Sequence, residues 1–364
     1  MAGNTFGKHF QIMSYGESHG FSIGGIVDGV PAGLSIDLQR VQYELDRRRP
    51  GQSDLTTSRE EKDEIQFLSG ILEKEGEFLT TGTPIGFQIR NSDAKSLDYS
   101  HVEDSFRPSH ADYTYSSKYG IRDHKGGGRS SARETISRVV AGAIAQQLLE
   151  YCCKTQISAY VERVHDICMP NQPEFYSKVE IDSSTVRCPN PDIASRMIQR
   201  IEEVKDDGDS VGGAIVVVAQ NVETGLGEPV FDKLNADLAK ALMSIPAVKS
   251  IEFGSGLSGT LLKGSQHNDE FTAENGEIST KTNNSGGIQG GISNGENIIV
   301  RISFKPTSTI LKPQNSVNSQ GEKIILEGKG RHDPCVLPRA VPIVESMVAI
   351  TLADHYLRNK TSKI

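Results

Sequence analysis

The densest concentration of potential chemistry is the run Gly126-Gly127-Gly128-Arg129-Ser130-Ser131-Ala132-Arg133-Glu134. Three glycines let the backbone turn so that its N–H groups can face outward. Ser131 and Glu134 have the spacing of a capping box just before an apolar helical pattern. A helix start there adds partial positive charge. Arg129 and Arg133 add full charges with forked donors. Together these features make an anion cradle, although the lysine of a P-loop is missing. A capped helix after a glycine turn would explain the serine and the glutamate, but not two flanking arginines.

Five other clusters are weaker one at a time. Arg47-Arg48-Arg49-Pro50-Gly51 follows a helical pattern, where cations stabilise the helix dipole without any ligand. In Arg107-Pro108-Ser109-His110 a fixed cation lies beside a titratable ring, an arrangement expected to favour neutral imidazole. Gly16-Glu17-Ser18-His19-Gly20 offers His19, which by itself reads as a structural histidine. Lys305-Pro306-Thr307-Ser308-Thr309 follows a strand pattern and brings hydroxyls suited to a polar ligand. In Gly330-Arg331-His332-Asp333-Pro334-Cys335, Arg331 and Asp333 are close enough to pair with each other. Gathered in an acidic chain, these arginines point to a polyanionic, phosphorylated ligand and to an enzyme. The residues alone leave the reaction open. A flavin or nicotinamide oxidoreductase could use the same cradle, although no G-x-G-x-x-G follows a strand. An RNA-binding module using Arg47, Arg48 and Arg49 is a third reading.

The bulk numbers narrow these classes. The chain has 364 residues, 36% hydrophobic and 24% charged, with a formal net charge of −8. This is the balance of a globular chain with a sizeable core, and its acidity disfavours nonspecific binding to nucleic acid. The five cysteines show no C-x-x-C spacing, so no metal site is expected. No apolar run approaches the roughly 20 residues of a membrane span. The first residues lack the apolar stretch of a signal peptide, so a cytoplasmic location is expected.

The elements that must position these clusters are a mixture of strands and helices. Runs rich in β-branched residues predict strands over Ile23–Asp28, Ile65–Ile71, Ile85–Arg90, Ile157–Val164, Ala214–Ala219, Ile298–Phe304 and Lys323–Leu326. Helical periodicity predicts Leu38–Arg48, Ala132–Tyr151, Asp192–Lys205, Leu234–Met243 and Val341–Arg358. The order lacks the regular alternation of a doubly wound fold.

In this order, the motifs resemble chorismate synthases from about Gly3 to His355. Gly16 to Gly20 with Val27-Asp28-Gly29-Val30-Pro31 resembles the N-terminal signature of that family. Gly128 to Thr135 resembles its central signature. Arg331-His332-Asp333-Pro334-Cys335, continuing to Val344-Glu345-Ser346-Met347, resembles its C-terminal one. Arg107-Pro108-Ser109-His110-Ala111-Asp112, Gly227-Glu228-Pro229-Val230-Phe231-Asp232 and Lys305 to Thr309 match between them.

The resemblance implies an α+β fold in one large domain, residues 1–364, with antiparallel sheets sandwiching central helices, assembled as a homotetramer. It implies a lyase that removes phosphate from 5-enolpyruvylshikimate 3-phosphate with reduced FMN as cofactor, and no nucleic-acid or membrane partner. By resemblance, Arg48, Arg107 and Arg133 contact the substrate. Arg129, Ser130, Ser131, Ala247, Gly290, Lys305, Pro306, Thr307, Ser308, Thr309 and Arg331 line the flavin. His19 protonates the departing phosphate, His110 manages a proton on the reduced flavin, and Asp333 assists proton removal. Ser18 and Ser130 or Ser131 hold the proton network. The family links the stretch holding Arg48, and an arginine six residues further on, to NADP. Here that second position is Asp54, and an acid there repels a 2′-phosphate, which argues against NADPH contact through this loop.

Overall fold

Period-two patterns build two outer layers. In Ile85–Arg90 the side chains of Ile85, Phe87 and Ile89 are fully buried, while Gly86 and Gln88 face the other side. The computed structural model describes residues 3–52, 55, 62–91, 103–124, 126–170, 172–328 and 333–363. Its first sheet runs in the order Thr5–Phe6, Gln11–Gly16, Ser22–Asp28, Ile85–Arg90, Ile65–Phe67. The second runs Val248–Phe253, Ile298–Phe304, Gly213–Gln220, Gln156–Val164, Ile167–Cys168. Every pairing in both is antiparallel.

Helices fill the space between the sheets. Thr135–Cys153 packs on the first sheet, Leu337–Asn359 packs on the second, and the two pack on each other. Leu38–Arg48 lies against both. One continuous cluster of buried apolar side chains joins the layers, from Phe10 through Ile144 and Val217 to Tyr356. The α+β class and the sandwich of antiparallel sheets around helices are therefore as expected.

The two central helices approach closely at Gly142. A Cβ built there would lie 2.2 Å from Ser346 Cβ and 2.4 Å from Ser346 Cα. Both helices are buried along almost their whole length, so their sequences show little amphipathic contrast. Leu337–Asn359 even has the length and apolar average of a membrane span, with 94% of that window buried inside the protein. A search for uninterrupted apolar runs misses it because Arg339, Glu345, Asp354 and Arg358 interrupt the run. It is a core helix. Its Asp354 carboxylate accepts the backbone N–H groups of Lys8, His9 and Phe10 at 2.9, 2.6 and 3.1 Å, tying the first strands to the core.

Several boundaries differ from expectation. The expected strand Ile65–Ile71 is split into Ile65–Phe67 and Ile71–Lys74. The break is at Gly70, whose φ is +80° and whose Cβ, if present, would meet Ile85 at 2.7 Å. The helix expected from Ala132 begins at Thr135, after a tight 3-10 turn over Ala132–Glu134. The last helix begins at Leu337 rather than Val341. Pro338 fits its first turn, and the helix continues through Pro342. The strand Gln11–Gly16 was hidden because its outward face carries Met13 and Tyr15, which erases the alternation. Asp112–Tyr119 was missed as a helix because it buries only Asp112.

Gly142→Ala is expected to force Ser346 and its helix outward and to destabilise the protein by about 1–3 kcal/mol. Thermal unfolding of the variant checks this; an unchanged midpoint would mean the helix pair has room to spare.

Candidate active site

The motif segments meet at one end of the helix layer. The turn Glu17–Gly20 connects Gln11–Gly16 to Ser22–Asp28. Ser18 is fully buried, and its Oγ donates to Gly126 O at 3.1 Å and lies 3.1 Å from His19 Nδ1. A Cβ at Gly126 would fall 2.1 Å from the His19 ring, so a glycine is needed there for the loop to close over this imidazole. A Cβ at Gly127 would stand in ordinary contact with His110 Cε1 at 3.7 Å, and there the φ of +82° favours glycine. Arg129 reaches back to the first sheet, donating to Gly16 O at 3.0 Å and to Ser14 Oγ at 2.6 Å. Ser130 Oγ donates to Gly127 O at 2.7 Å.

Ser131 caps the 3-10 turn by accepting from Arg133 N at 3.4 Å. The reciprocal contact from Glu134 that a capping box requires does not form. Glu134 instead pairs with Arg138 at 3.0 Å. The capping-box expectation is corrected to a single-sided cap.

Arg48 ends its helix with 1% exposure. Its Nη2 donates to Asp63 Oδ2 at 2.6 Å and its Nη1 to Ala132 O at 3.4 Å. Its Nε is buried with no hydrogen-bond partner among the described residues. Burial pushes the Arg48 guanidinium down to about 10, helped by Arg339 and Arg133 and opposed by Asp63. Arg133 lies 3.2 Å from Asp63 Oδ1, and its Nε donates to Asn91 Oδ1 at 3.0 Å. Asn91 in turn donates to Glu17 O and Gly20 O at 3.0 and 2.8 Å, which ties this arginine pair to the His19 turn.

The neighbouring Arg47 behaves differently from its sequence reading. It is not a helix-dipole partner in solvent but the centre of a buried network, with Glu44 at 2.8 Å, Asp182 at 2.8 Å and Glu345 at 2.5 Å. With Arg47 and Arg48 both enclosed, the RNA-binding surface imagined for Arg47, Arg48 and Arg49 is overturned. Only Arg49 is substantially exposed.

Arg107 is gripped by Asp112, through Nε at 2.8 Å and Nη2 at 2.9 Å. His110 Nδ1 stands 2.9 Å from Asp112 Oδ1 and 3.1 Å from Arg107 Nη2. The sequence reading placed only a cation beside this ring; Asp112 adds the opposing charge. A carboxylate only accepts, so donation from His110 Nδ1–H leaves Nε2 as the ring's other working nitrogen. Burial works against ionisation of Asp112, but hydrogen bonds from Arg107 and His110 prevail and hold its carboxyl far below the usual range.

Loop Lys305–Thr309 closes the other side. Ser308 Oγ donates to Ser109 O at 2.9 Å, and Thr307 Oγ1 donates to Asp333 O at 2.9 Å. Arg107, Ser308 and Thr309 line one small cavity. Lys305 Nζ donates to Ser308 Oγ at 2.6 Å and has no carboxylate partner among the described residues. Its ammonium is pushed below the ordinary lysine range, chiefly by burial and also by Lys249. Asp333 pairs with Arg339, whose Nε donates to Arg48 O at 3.2 Å.

Ala247, with φ +72°, accepts from Lys305 N at 2.9 Å and so lies beside this loop. Gly290, with φ +62°, sits in the turn between Ile288–Gln289 and Ile292–Ser293, and a Cβ there would meet nothing within 4 Å. No contact among the described residues joins Gly290 to the motif loops. Asp54 and Arg331 lie outside the described residues. A larger cavity of about 490 Å³ opens over the second sheet beside Glu162, Cys168 and Arg301. It contains no motif residue, and Glu162 and Arg301 satisfy each other at 2.6 and 2.7 Å.

Asp63, Asn91 and Arg339 were missing from the sequence reading, and Asp112 appeared there only at the end of a motif, with no role. Asp112, two residues after His110, was within reach of a spacing argument. Asp63 was not, because Arg59-Glu60-Glu61-Lys62-Asp63-Glu64 offers several equivalent carboxylates.

Fold and site together define an enzyme class for small polyanionic substrates, built on two antiparallel sheets with paired helices between them. Comparison with known proteins makes this specific. The chorismate synthase family model matches residues 10–357. A chorismate synthase from Christiangramia forsetii is 56% identical over 364 residues, covering 100% of both chains. One from Prochlorococcus marinus strain MIT 9301 is 58% identical, covering 98% of this chain and 97% of the relative. A crystal structure of chorismate synthase superposes with a TM-score of 0.75 at 29% identity, covering 97% of this chain and 93% of that one. The chain belongs to the chorismate synthase family. Its activity is that of a carbon–oxygen lyase, converting 5-enolpyruvylshikimate 3-phosphate to chorismate by anti-1,4 elimination of phosphate.

Asp112→Asn removes the acceptor that holds both Arg107 and His110. Because the folded carboxyl titrates below its unfolded counterpart, its stabilising contribution is full above roughly pH 4 and is lost as pH falls through the acid range. The variant is expected to show a flatter acid limb in a plot of melting temperature against pH, together with lower turnover at neutral pH. An acid limb identical to that of the parent would contradict this account of Asp112.

Proposed function

We propose that the chain acts as one domain over residues 1–364 in a cytoplasmic homotetramer, with reduced FMN as cofactor and the site above as its catalytic centre. The observation that carries this reading is a ring of contacts and close approaches. It runs from the His19 turn to the Gly126 loop, then to His110, Ser308, Asp333, Arg339, Arg48, Asp63, Arg133, Asn91 and back to Glu17. Eight separated segments are thereby linked, which supports a single shared site.

The residues present fit two phosphorylated ligands. Arg48 Nε is a buried donor lacking a partner among the described residues, and Lys305 is a partly buried ammonium resting on a hydroxyl. Both suit groups carrying about −1.5 to −2 charges per phosphate near neutral pH. Reduced FMN, held by Arg129, Ser130, Ser131, Ala247, Gly290, Lys305, Pro306, Thr307, Ser308, Thr309 and Arg331, would supply an electron-rich ring that eases loss of phosphate and takes up a proton too weakly acidic for a side-chain base.

The protein's own groups bind, orient and move protons. Arg48, Arg107 and Arg133 hold the substrate's phosphate and carboxylates in forked contacts. His19, oriented by Ser18, donates a proton to the departing phosphate. His110, oriented by Asp112, holds a proton on the cofactor side. Asp333, held by Arg339, assists removal of the substrate proton, and Ser130 keeps the hydroxyl network continuous. NADPH is not proposed as a ligand of the Arg48–Asp54 stretch, since an acid at Asp54 opposes a 2′-phosphate. The tetramer is supported by an apolar outward face on the first sheet, where Met13, Tyr15 and Ile26 are 51%, 41% and 40% exposed.

An anaerobic assay of chorismate formation with chemically reduced FMN, with and without NADPH, tests the cofactor. Product is expected with reduced FMN alone and without stoichiometric loss of reductant. Equal phosphate release with oxidised FMN would remove the reduced-flavin reading, and consumption of one NADPH per product would point to the oxidoreductase reading instead. His19→Ala and His110→Ala are each expected to lower kcat by about 10²–10⁴-fold while FMN still binds, as followed by flavin fluorescence. Parent-like turnover in either variant would remove that histidine from the mechanism.

A further inference from the structure

The most enclosed carboxylate at the site belongs to no motif. The Asp63 side chain has 0% exposure, and its two oxygens serve different helices. Oδ2 accepts from Arg48 at the C-terminal end of Leu38–Arg48, at 2.6 Å, while Oδ1 stands 3.2 Å from Arg133 in the turn before Thr135–Cys153. The backbone around it is clamped. Gln42 Nε2 donates to Asp63 O at 3.3 Å, and Gln42 Oε1 accepts from Ile65 N at 3.2 Å. Asp63 itself has φ +49°, a left-handed conformation that aspartate tolerates better than most residues. Its direction is thus set by the same helix that carries Arg48.

We infer that Asp63 is a positioning residue for substrate binding, a single buried anion that sets two guanidinium forks on one ligand. This rests on the reading that Arg48 and Arg133 hold the substrate. The charges facing Arg48 among the described residues are Asp63, Arg133 and Arg339, with Asp333 already committed to Arg339. Without Asp63, Arg48 and Arg133 would face each other and Arg339 with no anion between them. Their forks would splay, and the enclosed Arg48 would give up its proton more readily.

The test compares Asp63→Asn and Asp63→Glu with Arg48→Ala and Arg133→Ala, each as the full chain with reduced FMN. Asp63→Asn is expected to raise KM for 5-enolpyruvylshikimate 3-phosphate by about 10- to 100-fold with a smaller change in kcat. That KM should climb further as pH rises from about 7 to about 9, where the parent stays flat. Asp63→Glu, which keeps the charge on a side chain one methylene longer, should keep the flat profile but recover only part of the loss, leaving KM several-fold above the parent. If Asp63→Asn does not fold, Asp63→Glu decides alone. A several-fold higher KM at a parent-like melting temperature supports the inference, and an unchanged KM overturns it. A folded Asp63→Asn with unchanged KM and pH profile also overturns it, provided that Arg48→Ala and Arg133→Ala do raise KM. If those two variants leave KM unchanged, the substrate-holding reading of the arginines falls first.

Discussion

Enclosing a guanidinium away from water is the constraint that orders this molecule. A charge in a low-dielectric interior is tolerated only beside an opposite charge or a full set of acceptors. Arg47, Arg48, Arg107 and Arg133 are all nearly buried. Each is matched by a carboxylate from another part of the chain or from the next turn: Glu345 and Asp182, Asp63, Asp112, and again Asp63. These pairings prescribe which loops must meet. They also hold the arginines in place, so that on the proposed reading a polyanionic substrate would meet forks already oriented rather than mobile side chains.

The helix layer decides where that meeting takes place. Thr135–Cys153 and Leu337–Asn359 pack tightly through Gly142 and Ser346, and both begin beside the site. Their N-terminal turns carry Arg133 and Arg339, and their dipoles add partial positive charge at that end. Leu38–Arg48 delivers Arg48 from its C-terminus, anchored one residue earlier by Arg47 in the buried network with Glu44 and Glu345. The sheets outside hold these helices in place and supply the short connections Glu17–Gly20 and Lys305–Thr309 that bring the hydroxyls and His19.

Glycine has a specific part in this economy of space. The two imidazoles stand beside Gly126 and Gly127, and at Gly126 a side chain would occupy the volume of the His19 ring. Such close approach couples the turn, the loop and the His19 imidazole into one unit. Asp112 Oδ1 and Ser18 Oγ lie within hydrogen-bond distance of Nδ1 of His110 and His19, so each ring is oriented by a neighbouring side chain.

Residue type and spacing by themselves determined much of this protein. The long buried helices and most inner strands of the two main sheets showed in periodicity, and the glycine–arginine–serine loop suggested an anion site because local chemistry is encoded in neighbouring residues. The order of the motifs pointed to the family. Only the tertiary structure decided which carboxylate each arginine would meet. Asp63 lies among similar acids, and nothing local distinguishes the one that turns inward under Arg48. Arg47 and Arg48 are adjacent and alike, yet one closes a structural network and the other faces the site, because successive helix residues point about 100° apart into different surroundings. Pairing over long sequence separations depends on packing, and packing is a property of the whole chain.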